Sequence, residues 1–161
     1  MKRALTRTAL AVETGLIGLL ALVAALLVVS ESFIRFLAPA ALPDWGAEMT
    51  VYLIGWAVML SAARMVRDNM HVGVDLLTHS LSREKRLWFE LFACVVGVVV
   101  SAVIIYAGIQ MVEFAMRFHE RGDSSIRFPM WLYYMAIPVG FALTAIQYVI
   151  RAVGLLSARE G

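Results

Sequence analysis

Four long apolar stretches, separated by short polar segments, dominate the chain. They cover about residues 10–37, 47–66, 86–117 and 129–155. Each is long enough to cross the ~30 Å hydrocarbon layer of a bilayer as a helix of about 20 residues. The pattern predicts an all-α integral membrane protein, with four transmembrane helices forming a single domain over residues 1–161.

Prolines and short connections set the order of these helices. The first is predicted to continue through its polar end to about residue 37, which makes it longer than the membrane is thick and therefore tilted. Pro39 and Pro43 then end it, and the short connection requires the first two spans to form an antiparallel hairpin. The fourth span is expected to begin at Pro129 and to bend at Pro138.

Between the second and third spans, apolar and polar residues alternate at helical spacing. The apolar positions are Met70, Val74, Leu77 and Leu81, and the polar ones are Asp68, His71, Asp75 and His79. This periodicity predicts a short amphipathic segment lying along the inner membrane surface.

Two stripes of small residues recur at intervals of four. They are Ala93, Gly97 and Ser101 in the third span, and Ala136, Gly140 and Thr144 in the fourth. Small side chains allow helix backbones to approach closely, so both stripes are expected to face neighbouring helices.

Composition agrees with a membrane protein. Of 161 residues, 61% are hydrophobic and 16% charged, and the mean hydropathy of +0.81 is outside the range of ordinary soluble domains. The basic start resembles a signal peptide, but the apolar run that follows is too long for one and further spans follow it. The net charge of +2 is small and divided among loops, which gives no support for nucleic-acid binding.

The distribution of Lys and Arg predicts the orientation of the chain. The two termini and the central loop carry ten of them, whereas the connections on the other side carry four, Arg35, Arg117, Arg121 and Arg127. Because basic residues are retained on the cytoplasmic side, both termini are expected there.

Charged residues near the span ends are expected to pair locally. Glu31 and Arg35 lie four residues apart and share a helix face near the outer boundary. The hairpin brings Glu48 to the same boundary, where it is expected to pair with Arg35 while Trp45 anchors the interface. At the inner end, Glu13 is expected to reach water or to pair with Arg7 or Lys2.

The sequence contains no pattern of catalytic or metal-binding residues: there is no phosphate-binding glycine loop, no metal-ligand spacing and no nucleophile beside a base. A haem-binding bundle would need histidines within the spans, but His71 and His79 lie in the central loop and His119 at an outer boundary. A small multidrug antiporter would need a carboxylate well inside its first span, and Glu13 lies too near the end. We expect neither an enzyme nor a cofactor.

A set of short motifs extends over nearly the whole chain. The first block comprises Glu31, Arg35, Trp45-Gly-Ala-Glu48, Tyr52, Trp56, Ala63-Arg64 and His71-Val-Gly-Val-Asp75-Leu-Leu, and the second comprises Ser125-Ile-Arg-Phe-Pro129-Met-Trp131 with Tyr134, Pro138 and Gly140. In order, spacing and topology the chain resembles the small membrane subunit, the DctQ-like or Q-type subunit, of tripartite ATP-independent periplasmic (TRAP) transporters. One departure is Ala62-Ala63, where members often carry a glycine.

The resemblance implies a bacterial inner-membrane scaffold. In such a transporter a periplasmic binding protein delivers an organic acid to a large membrane subunit, driven by a sodium gradient. This chain would brace the large subunit and bind neither substrate nor sodium. The expected structural or subunit-interface residues are Glu31, Arg35, Trp45, Glu48, Trp56, Arg64, His71, Asp75, Pro129 and Trp131. The alternative is a self-sufficient four-helix carrier, or a membrane anchor of another complex. A carrier would need ionisable groups in the middle of a span.

Overall fold

The computed structural model describes residues 2–68 and 83–157, with side chains described for 11–68 and 85–157. The helices are α1 (Lys2–Leu37), α2 (Gly46–Arg67), α3 (Arg83–Arg117), α4 (Met130–Tyr134) and α5 (Ala136–Ser157), with a 3-10 turn at Pro39–Ala41. The predicted amphipathic segment after the second span, including His71 and Asp75, lies outside the described residues.

Among the described residues, four helical stretches are long and apolar enough to cross a membrane: Ala11–Leu37, Gly46–Arg67, Lys85–Arg117 and Met130–Ser157. This confirms the all-helical prediction and the number of spanning helices. As expected, α1 continues without interruption through its polar end to Leu37 before the proline-containing turn. The side of the membrane on which the termini lie stays a prediction.

The long helices form an open row. Helix α1 packs on α2, α2 on α5, and α5 on α3, whereas no comparable packing joins α1 to α5 or α3 within the described part of the chain. In the most apolar 18-residue stretch of α1 only 6% of the residues are buried, against 33% in the corresponding stretch of α2. Many apolar side chains of the row are therefore exposed, including Leu19, Leu26, Phe92 and Val99 of the two outer helices.

The predicted small-residue stripes do face neighbouring helices. Gly140 of α5 lies against the backbone of α2, where an added Cβ would be 2.6 Å from the carbonyl oxygen of Met59. Gly97 of α3 lies under the ring of Tyr148 on α5, and Ser101, one turn further along α3, is buried. Small residues thus permit the close approach of adjacent helices in the row.

The last membrane-length stretch is divided into two helices. The sequence predicts one helix that begins at Pro129 and bends at Pro138. Instead, Pro129 precedes α4 as its N-cap, and the helix is interrupted at Met135. Pro138 has no N–H to donate to the carbonyl of Tyr134, so the regular helical bond at that position is missing. The chain continues as α5, where the Val139 N–H donates to the Met135 carbonyl at 3.2 Å.

The row has two polar ends. The hairpin end is formed by residues 38–45 and by the loop 118–129 that connects α3 to α4; the terminus end is formed by residues 11–14, 64–68, 85–90 and 151–157. Between these ends, residues 14–30, 49–63, 91–112 and 128–150 contain no Asp, Glu, Lys or Arg.

Candidate functional site

A hydrogen-bonded cluster at the hairpin end fastens α2 to the loop 118–129. Glu48, in the first turn of α2, accepts a hydrogen bond from the Ser124 backbone N–H at 3.2 Å. It also accepts a short hydrogen bond from the Tyr52 hydroxyl, which lies one turn further along α2. Gly122 packs directly against the Glu48 carboxylate and leaves no room for a Cβ. The carboxylate thus ties together two segments that are far apart in sequence.

Aromatic contacts support the same junction. The ring of Tyr52 lies 5.1 Å from that of Phe128 and 4.8 Å from that of Tyr133, measured between centroids. One turn along α2 from Tyr52, the Trp56 indole N–H donates to the Leu132 carbonyl at 3.2 Å. Trp56 therefore joins α2 to α4.

The loop 118–129 is itself folded tightly. His119 and Arg127 adopt left-handed backbone conformations, each with φ of 50°. Between them, the Gly122 N–H donates to the Phe128 carbonyl at 2.8 Å, and the Met130 N–H donates to the Glu120 carbonyl at 3.1 Å. These bonds orient the loop so that its backbone N–H groups can donate hydrogen bonds to Glu48 of α2 and to Asp44 just before α2.

Asp44, just before α2, makes a second tie to the loop. Its carboxylate accepts hydrogen bonds from the Ser125 hydroxyl at 2.7 Å and from the Ser125 backbone N–H at 2.8 Å. The bond from the Ser125 hydroxyl has the largest effect and the bond from its backbone N–H the next largest, and together they hold the pKa of the Asp44 carboxyl below its ordinary value of 3.8. The two bonds go to different oxygens of the carboxylate, so protonation of one oxygen weakens the tie.

We expect the stabilisation from Asp44 to depend on pH. Because its pKa is lower in the folded than in the unfolded state, the contribution is fully present above the unfolded pKa of about 3.9 and is lost as pH falls through the folded pKa. The stability difference between the wild-type protein and Asp44→Ala should therefore be larger at about pH 7 than at about pH 3. Thermal unfolding in detergent measures it. Asp123→Ala, which removes an exposed carboxylate of the same loop, is the control, and a difference that stays constant with pH for Asp44→Ala would contradict the tie.

A cavity of about 490 Å³ lies beside this cluster. Four carboxylates line it, those of Asp44, Glu48, Glu120 and Asp123, with Arg121 as the only cation among the lining residues. In the part of the chain that the structure describes, no three His, Cys, Asp or Glu residues are arranged to hold a metal ion. The excess of negative charge would repel an anionic ligand such as an organic acid.

Arg35 was predicted to pair with Glu31 and with Glu48 at the hairpin end, and both predictions are wrong. Glu48 bonds to Ser124 and Tyr52 instead, because α2 turns it toward the loop. Glu31 and Arg35 share a face of α1 and line the same open cleft of about 480 Å³, but the described residues include no ion pair to either. The Glu31 carboxylate lies against Gly46, the first residue of α2.

At the terminus end, ion pairs join helices that are neighbours in the row. Glu13 of α1 pairs with Arg67 of α2 at 2.8 Å, a partner on the neighbouring helix that was not predicted from the sequence. Its expected partners, Lys2 and Arg7, lie outside the residues whose side chains are described, so that pairing stays a prediction. Arg64 donates to the Thr14 hydroxyl at 3.0 Å and to Asp68 at 3.2 Å. The arrangement follows from the antiparallel hairpin, which places the last turn of α2 beside residues 13 and 14.

Helices α3 and α5 are joined by a similar ion pair at the terminus end. Glu90 of α3 accepts a hydrogen bond from Arg86 at 2.9 Å and lies 3.5 Å from Arg151 of α5. Its side chain is 12% exposed, so both cations lie next to a largely buried carboxylate. The ionisable contacts of the described spans thus serve to connect helices at their ends.

The predicted site residues fall into three groups. Glu48 and Trp56 join α2 to the loop 118–129 and to α4, respectively. Trp45 and Pro129 are the N-cap residues of α2 and α4, and Trp131 lies in the first turn of α4. Glu31 and Arg35 line the cleft beside this end, and Arg64 lies at the opposite end. His71 and Asp75 lie outside the described residues.

Sequence reasoning missed the loop partners of α2. Asp44, Gly122 and Ser124 were not singled out, although a Gly-Asp-Ser-Ser segment between two spans is a typical loop composition whose backbone N–H groups need acceptors. This composition indicates that the loop needs acceptors, but it does not show which carboxylates lie opposite, because that depends on the packing of the helices.

Taken together, the helices and their polar ends define a multi-pass membrane protein in which ion pairs between Glu13 and Arg67, and between Glu90 and Arg151, join neighbouring helices. The family model for the DctQ component of tripartite ATP-independent periplasmic transporters matches residues 6–158. The chain therefore belongs to the DctQ family, a permease component of transporters, which is not a class of enzyme.

Curated relatives agree with this assignment. The chain is 32% identical over 119 residues to the C4-dicarboxylate TRAP transporter small permease protein DctQ of Rhodobacter capsulatus, covering 73% of this chain and 50% of the relative. It is 26% identical over 118 residues to the protein of the same name from Pseudomonas aeruginosa, covering 72% and 56%. The Vibrio cholerae protein is 21% identical over 126 residues, covering 65% and 54%. The chain thus spans about half the length of the curated relatives it matches.

Proposed function

We propose that this chain is the small membrane subunit of a sodium-driven TRAP transporter in the bacterial inner membrane, with both termini in the cytoplasm. The transporter would import an organic acid delivered by a periplasmic binding protein. The relatives are named for C4-dicarboxylates, which makes this class the first to test. The chain itself acts as a scaffold for the large membrane subunit and binds no substrate.

The observation that carries this proposal is the open row of helices. A self-sufficient carrier encloses its substrate pathway between helices and places polar or ionisable groups on it near the bilayer midplane. Here the interior stretches of all four spans lack charged residues, and many exposed apolar side chains of the row have no described protein partner. An apolar surface of this kind suits packing against a further membrane subunit.

The acidic cavity at the hairpin end also argues against substrate binding by this chain. A dicarboxylate entering it would meet four carboxylates and only one cation among the lining residues, and like charges repel. We therefore place the substrate pathway in the large subunit. The interface with it would include the inner segment with His71 and Asp75, which follows directly after Arg64.

The test is reconstitution in proteoliposomes. The chain alone should give no sodium-dependent uptake of a labelled C4-dicarboxylate, whereas the chain together with the large subunit and the binding protein should give it. Removal of the sodium gradient from the complete system is the matched control. Uptake by the chain alone would overturn the scaffold assignment, and full uptake by the large subunit and binding protein without this chain would do so as well.

A further inference from the structure

The first feature to explain is an apolar groove on the surface between α1 and α2. Its volume is about 340 Å³, and it is lined mainly by small or branched apolar residues. The α1 side runs from Ile17 to Val28, and the α2 side includes Ile54 and Ala57. At 1.5 Å per residue the α1 side is about 16 Å long, which matches the depth of one leaflet, half of the ~30 Å hydrocarbon layer.

The groove continues into the polar cleft at the hairpin end. Val28 lines both the groove and the cleft of about 480 Å³ that Glu31 and Arg35 also line. Glu31 and Arg35 lie three and seven residues beyond Val28 on α1, about 4 and 10 Å further along the helix axis. A leaflet-deep apolar channel thus opens onto two charged side chains at the depth where lipid headgroups lie.

These two charges are available to a ligand. Although they lie four residues apart, they do not pair with each other in the part of the chain described, and the Ser32 hydroxyl between them is occupied by the Val28 carbonyl at 2.8 Å. Glu31 packs against Gly46 at the N-terminus of α2, where the helix dipole favours a negative charge. Side chains at this spacing have Cβ atoms about 5–6 Å apart.

We propose that the groove and cleft together bind one zwitterionic aminophospholipid, phosphatidylethanolamine. One acyl chain lies in the groove between α1 and α2, the phosphate accepts hydrogen bonds from the Arg35 guanidinium, and the primary ammonium donates to the Glu31 carboxylate. The two-carbon bridge between phosphate and ammonium suits the separation of two residues one helical turn apart. A purely anionic headgroup satisfies Arg35 but leaves Glu31 facing negative charge, so the site selects for the ammonium.

The chain contains a matched control for the headgroup contacts. Glu113 and Arg117 are also four residues apart, exposed, and located near the hairpin end of α3. Neither lines the groove or the cleft. The groove has a matched control as well. Ala25 is exposed in the groove, and Ala107 of α3 is exposed outside it.

The experiment is native mass spectrometry of the full chain in detergent, titrated with phosphatidylethanolamine or with phosphatidylglycerol of the same acyl composition. We expect the wild-type protein to retain phosphatidylethanolamine more strongly. Arg35→Gln should weaken its binding about tenfold, as expected for loss of a charge-assisted hydrogen bond, and Glu31→Gln should abolish the preference over phosphatidylglycerol. Arg117→Gln and Glu113→Gln should change neither quantity.

The groove is tested separately. Ala25→Phe, which fills it, should reduce retention of phosphatidylethanolamine, while Ala107→Phe should not. Equal retention of the two lipids by the wild-type protein, or equal effects of Arg35→Gln and Arg117→Gln, would overturn the proposal. So would an Ala25→Phe variant that keeps its lipid but loses a co-purifying membrane subunit, because the groove would then be a protein interface.

Discussion

Replacing Gly140 by alanine is expected to force α2 and α5 apart and to lower the free energy of unfolding by about 1–3 kcal/mol. The added Cβ would lie 2.6 Å from the carbonyl oxygen of Met59 and 2.8 Å from its Cβ. Both neighbours are atoms that a change of side-chain rotamer cannot move. The strain can therefore be relieved only by a shift of one helix against the other.

The same helix provides the control. A Cβ added to Gly154 would have no neighbouring atom within 4 Å, so Gly154→Ala should be neutral or slightly stabilising because alanine is the better helix former. Unfolding in mixed micelles of sodium dodecyl sulfate and a mild detergent, followed by circular dichroism, compares the two variants. Equal stabilities would mean that α2 and α5 are not in close contact.

The effect should be large because of where this contact lies in the row. Helix α1 packs on α2, and α3 packs on α5, so the α2–α5 seam joins the two halves of the protein. In a closed bundle, the other contacts would hold the helices while one seam adjusted. In an open row no second long-helix seam connects the two halves, within the described residues, and the disturbance cannot be shared.

The helices could be predicted from sequence because their cause is local. Apolar runs of membrane length and the prolines at 39, 43 and 129 define the spans without reference to any neighbour. The contacts made by the small-residue stripes could also be predicted, because the spacing of small residues along one helix indicates the face on which another helix can approach closely. The helix is interrupted at Met135 and not at Pro138, because the N–H that Pro138 lacks would have bonded to the carbonyl four residues earlier, that of Tyr134.

The charge pairs could not be predicted, because each depends on which helix end lies opposite. Glu13 has Arg7 nearby in sequence, yet the hairpin places Arg67 within 2.8 Å of it. Glu48 and Arg35 lie at the same end of the row, but the azimuth of Glu48 on α2 directs it to Ser124 of a loop 76 residues away. Sequence spacing identifies residues that share a helix face, and it does not identify the face of the adjacent helix.

The second large effect is expected at the tie between Glu48 and the loop 118–129. Glu48→Ala leaves the Ser124 N–H without its acceptor and leaves the Tyr52 hydroxyl with only the weakly accepting Met130 sulfur at 2.9 Å, which should cost about 1–3 kcal/mol. Gly122→Ala should cost a similar amount of about 1–3 kcal/mol, because its Cβ would displace the Glu48 carboxylate from the same contacts. The two single variants thus damage one interaction from opposite sides.

The double variant distinguishes this tie from two independent defects. Once Glu48 is truncated, the space beside residue 122 is free, so Glu48→Ala with Gly122→Ala should be no less stable than Glu48→Ala alone. Glu48→Ala with Gly140→Ala is the control pair and should be additive within about 0.5 kcal/mol. Gly140 contacts Met59, eleven residues or about 16 Å further along α2 from Glu48. Thermal unfolding in detergent gives all of these values. If the losses from Glu48→Ala and Gly122→Ala simply add, the carboxylate does not lie against Gly122, and the loop must be held by Asp44 and the aromatic contacts of Tyr52 instead.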